Sequence, residues 1–304
     1  MFAAIDVGSH STKLVLARRD PQGAWRRHLE RVVVTGLGLG DPDRDGLDPA
    51  GRARTLAALA ELARICRDHG VTDVVTAGTA VLRRARDAGD FVDQVRRETG
   101  LDLVVISGDE EARLTYLGAV GGLAPSDDEG VDLAFDVGGR STELAWGRRD
   151  IPDDRRSLDL GTISLMNAYG LDGAVTPEVA AAAAGAVAAA LDLLPPVPAV
   201  RRLVGIGATP GSLVAIREAR DVADSLEVHG ARLARDEIAG LCARLRGLDL
   251  AARTGLPGLH AGRAPVILAG GLITGAVADR WPAAPLIISA TGLREGLLAD
   301  RFGG

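Results

Sequence analysis

Residues 136–150 read DVGGRSTELAWGRRD and residues 6–20 read DVGSHSTKLVLARRD, identical at nine of fifteen places and 130 residues apart. In both, an apolar run (3–7 and 133–137) ends at an aspartate, valine and glycine, turns through small polar residues, and returns as a second apolar run (12–17 and 142–147). Two apolar runs around a Gly/Ser-rich turn predict a β-hairpin. The same hairpin at a domain-sized spacing predicts a duplicated unit.

The flanking segments repeat that logic. After the first hairpin come a helical pattern over 49–69 with Gly70 as its stop, a strand over 71–77, a helix over 81–99 and a strand over 103–107. A helix opens at Gly108-Asp109-Glu110-Glu111. Beyond the loop 121–130 the pattern restarts with the second hairpin. It continues through an alanine-rich helix announced by Thr176-Pro177-Glu178, a strand over 203–206, further helices, strands over 265–269 and 286–289, and a helix from Leu293. Strands alternating with helices, twice over, predict two related α/β domains facing each other. The Pro-, Ser-, Asp- and Gly-rich stretch 125–130 places their junction between a domain 1–126 and a domain 127–304.

Composition narrows the partners. With 47% hydrophobic and 25% charged residues the 304-residue chain reads as soluble and globular. A formal net charge of −6 argues against DNA or other general nucleic-acid binding. Lys13 is the sole lysine, and the other basic side chains are arginine. Cys66 and Cys242 form no CxxC pattern, so neither zinc nor a disulfide framework is predicted, only buried thiols in a reducing compartment. The uncharged runs 179–191 and 264–278 fall short of the roughly 20 apolar residues of a membrane span. Since no leader pattern precedes the first strand, a cytoplasmic protein without a membrane partner is expected.

The repeated turns carry the chemistry. Successive amides and a serine hydroxyl, at Gly8, Ser9, His10 and Ser11 and again at Gly138, Gly139, Arg140 and Ser141, make a nest for an oxyanion such as phosphate. Asp6 and Asp136, at the two strand ends, offer the hard oxygen that magnesium prefers. A lone Gly-Ser hairpin is most often only a hairpin, but two with the same acid in the same place are hard to explain structurally. A third glycine stretch, 205–209, adds Gly207 and Thr209 as phosphate contacts.

Duplicated Asp-x-Gly hairpins resemble the superfamily of actin, sugar kinases and chaperone ATPases. Within it the chain resembles the exopolyphosphatase and guanosine pentaphosphate phosphatase family, in its short two-domain form. The likeness runs end to end and is carried by AAIDVGSHSTKLVLA, AGTAVLRRARDAGDFV, VISGDEEARLTYLG, AFDVGGRSTELAWG, VHGARLARDEI, LPGLHAGRAPVILAGGLI and ISATGLREGLL. It implies two duplicated actin-like (ribonuclease H-like) domains enclosing a cleft. It also implies a magnesium-dependent, or other divalent-cation-dependent, phosphohydrolase acting on polyphosphate or pppGpp, and a homodimer.

Residue by residue, the resemblance makes Glu111 the base that orients water and Arg83 the neutraliser of the attacked phosphoryl group. It gives the metal to Asp136 and Glu143, with Asp6 as helper. On residues alone, Glu111 opens a helix beyond an apolar strand and so faces the crevice at the strand's carboxyl end. A first-turn acid favoured by the helix dipole is the plainer reading, which Asp109 and Glu110 fit better. Glu143 alone would be a solvated strand residue, and Arg84 a charged helix face. Lys13 either reaches a phosphate or points outwards. Arg31, Arg83, Arg84 and Arg86 are candidates for a basic channel, whereas His229 and His260 read as packed or surface residues. Where the family usually has asparagine, glycine and glycine, this chain has His10, Arg140 and Ala208. A left-handed glycine could not become Arg140 without about 1–2 kcal/mol of strain, so either the turn differs or a guanidinium enters the phosphate site. Two other functions stay open: a non-catalytic sensor of polyphosphate or nucleotide, which has no evident need of Glu111, and a kinase, for which no acceptor-site motif is present.

Overall fold

The computed structural model describes every residue except 22, 40–45, 126–127, 150, 223–224 and 304. The chain opens with β1 (Phe2–Val7), β2 (Ser11–Arg19) and β3 (Trp25–Val34), an antiparallel meander. Then come α1 (Pro49–Asp68), β4 (Asp73–Gly78), α2 (Ala80–Arg84), α3 (Ala88–Thr99), β5 (Leu103–Val105) and α4 (Gly108–Gly121). A second meander follows, of β6 (Val131–Val137), β7 (Thr142–Arg148) and β8 (Ile151–Leu158). Helices α5 (Thr162–Tyr169) and α6 (Pro177–Asp192) lead to β9 (Val200–Ile206), α7 (Ala208–Glu218) and β10 (Arg232–Leu233). The chain closes with α8 (Arg235–Arg246), α9 (Leu250–Thr254), α10 (Ile267–Arg280), β11 (Leu286–Ser289) and α11 (Leu293–Phe302).

The two sheets have one plan. The first runs β3-β2-β1-β4-β5, and the second repeats it as β8-β7-β6-β9-β11 with β10 added at its edge. In each, two antiparallel pairings give way to parallel ones. The duplication read from the two hairpins is therefore a duplication of whole sheets, and the α/β class holds. Each sheet centres one lobe. The predicted junction, between residues 126 and 127, lies outside the described residues.

Local chemistry fixes the helix starts. Asp48 accepts the Gly51 amide at 2.5 Å ahead of Pro49, Ser107 accepts the Glu110 amide at 3.1 Å, and Thr176 accepts the Val179 amide at 3.4 Å ahead of Pro177. Helices α1 and α3 cover the outer face of the first sheet, while α5 to α8 and α10 cover that of the second. Two helices lie between the sheets. Ala112, Tyr116, Ala119 and Val120 of α4 pack on Ala134, Ala145, Val204 and Ile206 of the second sheet. Leu293, Leu297 and Leu298 of α11 pack on Ala4, Val15, Ala17 and Ala77 of the first. Each inner helix thus serves the sheet from which its own segment is separate. They cross at glycines: a Cβ on Gly118 would strike the Gly292 carbonyl, and one on Gly296 the Leu114 carbonyl.

Three expectations need correction. The run 265–269 is not a strand: Ile267 onward forms the buried α10, and a short apolar run does not by itself distinguish a core strand from a core helix. The helix expected over 81–99 is two, because Asp87 turns aside to accept the Leu47 amide at 2.9 Å and Arg52 at 3.2 Å. Strands β3, β8 and β10 went unforeseen; β3 and β10 are sheet edges rich in arginine, as is β8. Among the described residues no helix is long and apolar enough to cross a membrane. Cys66 is buried and Cys242 half-buried, both free, and burial pushes their thiols up to about 11 and about 12.

Candidate active site

The repeated turns meet at the mouth of the cleft. Both close with the same bond: the Gly8 amide to the Ser11 carbonyl at 3.1 Å, and the Gly138 amide to the Ser141 carbonyl at 3.0 Å. They touch apex to apex, since a Cβ on Gly139 would stand 2.9 Å from that of Ser9. The start of α5 anchors the second turn, with the Thr162 and Ile163 amides on the Gly138 and Gly139 carbonyls at 2.9 and 2.8 Å. Between the turns lies a cavity of about 60 Å³.

Gly8, Ser9, His10 and Ser11 wall it on one side, and Gly138, Gly139, Arg140 and Ser141 on the other. Asp6, Glu111, Asp136, Glu143 and Thr209 also line it. Gly207 adopts φ +86 to bring the chain against the acid: a Cβ there would lie 2.5 Å from Asp136 Oδ1. Ala208, where the family usually has glycine, lines the cavity too. Arg83 reaches the same place from α2 by holding two of its carboxylates. Its Nη1 donates to Glu111 Oε2 at 2.5 Å and to the Ile106 carbonyl at 3.1 Å, and its Nη2 lies 3.8 Å from Glu143 Oε1. Glu110 instead takes Arg113 at 2.7 and 2.8 Å, and Asp109 is exposed, as the plainer reading had it.

One difference between the repeats governs the electrostatics. In the first hairpin Asp6 stands opposite Lys13, and Nζ donates to Oδ2 at 3.2 Å. In the second, Asp136 stands opposite Glu143 at the equivalent register. Opposite charges at facing strand positions attract and like charges repel. The first acid therefore has a cation within its own hairpin, while the second pair draws its cations from elsewhere, Arg83 and Arg263 among them. Burial holds Asp136 above the ordinary carboxylate value, with Lys13 offsetting and Asp6 adding to the rise. Burial lifts Glu143 to about 7, partly offset by hydrogen bonds from Ser141 and Ser157, the latter at 2.8 Å, with the Asp136 charge adding. Burial, then the charge of Glu143, raises Glu111 well above the usual range, against the pull of Arg83.

The donor chemistry suits a hard divalent cation. Two facing carboxylates whose charges are disfavoured together are what such an ion relieves. Among the described residues no group of three or more His, Cys, Asp or Glu could hold a metal ion alone. Magnesium is typically held by one or two carboxylates with waters and substrate phosphates, so Asp136 and Glu143 fit it. Asp6, the predicted helper, is engaged by Lys13.

The residue that sequence reading missed is Arg263. Its guanidinium lines the cavity from the turn before α10, is attracted by Asp136, and pays a desolvation penalty that lowers its pKa to about 10. Its only sequence signal was a place inside the stretch LPGLHAGRAPVILAGGLI. Of the proposed basic channel, Arg84 pairs with Asp159 across the lobes at 3.0 Å, Arg31 and Arg86 are exposed, and none of the three lines the cavity. His229 bridges the Gly122 carbonyl and the Ala290 amide, and His260 caps Gly262. Arg140 has no left-handed φ, so the lost glycine leaves no strain.

Comparison with known proteins places the chain in a family. Residues 30–303 match the family model described as Ppx/GppA phosphatase family. A guanosine-5'-triphosphate,3'-diphosphate pyrophosphatase of Aeromonas salmonicida is 29% identical over 308 residues, covering 100% of this chain and 60% of that protein. The chain thus spans 60% of the length of the curated relatives it matches. The crystal structure of the Aquifex aeolicus member of the Ppx/GppA protein family superposes with a TM-score of 0.83 at 29% identity, over 99% of this chain and 97% of that one. An exopolyphosphatase from Cytophaga hutchinsonii shares the fold, with a TM-score of 0.88 at 20% identity, over 100% and 98% of the two chains.

Proposed function

This chain belongs to the Ppx/GppA phosphatase family, and on that premise we propose that it is a divalent-cation-dependent phosphohydrolase releasing the terminal phosphate of polyphosphate, pppGpp or both. The observation that carries the reading is the buried Glu111, bonded to Arg83, at a cavity walled by both phosphate turns. A pure anion sensor would gain nothing from three buried carboxylates at its binding site. The relatives' names supply the substrates: guanosine pentaphosphate for the Aeromonas protein and polyphosphate for the Cytophaga one.

The turns grip the terminal phosphoryl group through the amides and hydroxyls of Ser9, Ser11 and Ser141. Lys13 and Arg263 balance its charge. Glu111 takes a proton from the attacking water, and its raised proton affinity suits a base working near neutrality. Arg83 fixes that carboxylate and lends positive charge to the phosphoryl oxygens. Asp136 and Glu143 would hold Mg²⁺, whose contribution when bound is Lewis-acid neutralisation of phosphate oxygens. A cytoplasmic homodimer is the setting we propose, on family likeness.

Two results are expected. Truncation at Arg263→Ala should weaken substrate binding by about 10–100-fold with the melting temperature little changed, from the ~1.5–3 kcal/mol of a hydrogen bond to a charged group. Michaelis constants measured by released phosphate check this, and an unchanged constant would remove Arg263 from the site. Metal-free stability should also depend on pH. The folded Glu143 value of about 7 exceeds its unfolded value of 4.5, so between them the native state holds a proton that the unfolded chain has lost. The Glu143 contribution to stability is then greatest below about 4.5, falls as pH rises to about 7, and stays low above, by roughly 3 kcal/mol. Melting curves in EDTA should fall over that window, Mg²⁺ should restore them at pH 7.5, and Glu143→Gln should reduce both effects. Melting that ignores both pH and Mg²⁺ contradicts the metal assignment.

The deciding experiment is release of phosphate from pppGpp or long-chain polyphosphate by purified protein with Mg²⁺. Tight binding of both without turnover would favour the sensor.

A further inference from the structure

Beside each repeated turn, three adjacent strands set three residues in a row. In the first lobe the row is Asp6 on β1, Lys13 on β2 and Val32 on β3. In the second it is Asp136 on β6, Glu143 on β7 and Ser157 on β8. Residues directly opposite one another share a face of the sheet, so the side chains of a row are neighbours. The rows differ at their third place as they differ in charge. Where Lys13 faces Asp6, that place is taken by Val32, which is exposed and has no donor to offer. Where Glu143 faces Asp136, it is taken by a hydroxyl: Ser157 Oγ donates to Glu143 Oε1 at 2.8 Å.

The position of Ser157 suits a lasting hold on that carboxylate. Ser157 does not line the cavity, so it grips Glu143 from behind. Ser141, the other hydroxyl on Glu143, does line it and is a proposed phosphate contact. A hydroxyl has one proton to give, so a bound phosphate competes for that of Ser141 and leaves that of Ser157 in place. The helix that carries Glu111 makes room for this serine. A Cβ on Gly108, the first residue of α4, would lie 2.6 Å from Ser157 Cβ and 2.9 Å from its Oγ.

We propose that Ser157 is a positioning residue for the divalent cation, fixing the Glu143 carboxylate beside Asp136 so that the two can hold the ion together. The inference rests on the metal reading above. A carboxylate offers about four lone-pair sites, and a donor occupying one decides which way the others face. Outer partners of this kind typically govern metal affinity by about 10–100-fold.

Melting of the purified protein against Mg²⁺ concentration at pH 7.5, with no substrate present, tests this. In the parent the melting temperature should begin to climb as Mg²⁺ passes its dissociation constant. In Ser157→Ala that onset should move to about 10–100-fold higher Mg²⁺. Ser157→Thr, which keeps the hydroxyl, should track the parent. An alanine variant that melts lower throughout but keeps the parent's onset would reveal a packing role alone and overturn the proposal. A threonine variant as impaired as alanine would overturn it too, because the hydroxyl would not be the operative group. A parent indifferent to Mg²⁺ would defeat the metal reading and this role together, whereas a responsive parent matched by the alanine variant defeats this role alone. None of these arms needs turnover, so each can be decided whether or not phosphate is released.

Discussion

Replacing Glu111 with glutamine is expected to lower steady-state phosphate release by about 10²–10⁴-fold, the span a positioned general base supplies. The substitution is isosteric and keeps an oxygen for Arg83, so the 2.5 Å contact that orients the side chain can persist. What disappears is the acceptor for the water's proton. Substrate affinity should change far less than turnover, because Glu111 acts in the transition state and not in gripping the phosphate. The pH profile is the sharper readout. A base whose proton affinity is raised by burial and by the charge of Glu143 must lose activity as pH falls through that raised value. The acid limb should lie above the ordinary carboxylate range in the parent and vanish in Glu111→Gln. Equal turnover by the variant would show that another group does the work, with Glu143 next in line.

Gly296→Val is expected to be the most destabilising single substitution, costing upwards of about 3 kcal/mol, at the top of the range for overpacking. A Cβ at Gly296 meets the Leu114 backbone, which cannot swing aside as a side chain would. Helices α4 and α11 would have to separate, and with them the apolar contacts that bind each sheet to its inner helix. Urea denaturation of the variant checks this. A midpoint equal to the parent's would mean that the helices part without loss. The control is Gly185, on the exposed part of α6, where an added Cβ would meet no heavy atom within 4 Å: Gly185→Ala should be neutral or mildly stabilising.

Much of this was legible in residues. The hairpins were, because an identical phrase leaves little room for any other local structure, and the duplicated sheets followed. The glycine- and serine-rich turns and their aspartates were singled out too, and the structure gathers them at one cavity. The roles proposed for Glu111 and Arg83 came from family likeness; residue spacing alone left Glu111 as readily a first-turn acid. The electrostatic difference between the hairpins was open to view as Lys13 against Glu143, but only the strand register turns it into one neutral pair and one repelling pair. Arg263 was hidden because its neighbours in space come from both turns while its neighbours in sequence precede a helix. That helix was misread for the same reason that β3 and β8 were missed: α10 is apolar on nearly every side, and those strands carry as much charge as a solvated loop.

The exchange of inner helices also sets an order of events during synthesis. Arg294 of α11 donates to the Leu14 carbonyl, 280 residues upstream. At roughly 5–20 residues per second, the opening strands would leave the ribosome about 15–60 s before the helix that covers their inner face exists. Until then Ala4, Val15 and Ala17 lack Leu293, Leu297 and Leu298 of their native cluster. Contacts so distant along the chain make for slow acquisition of the native state and a long window for aggregation. Nascent chains should therefore lean on chaperones until α11 has emerged.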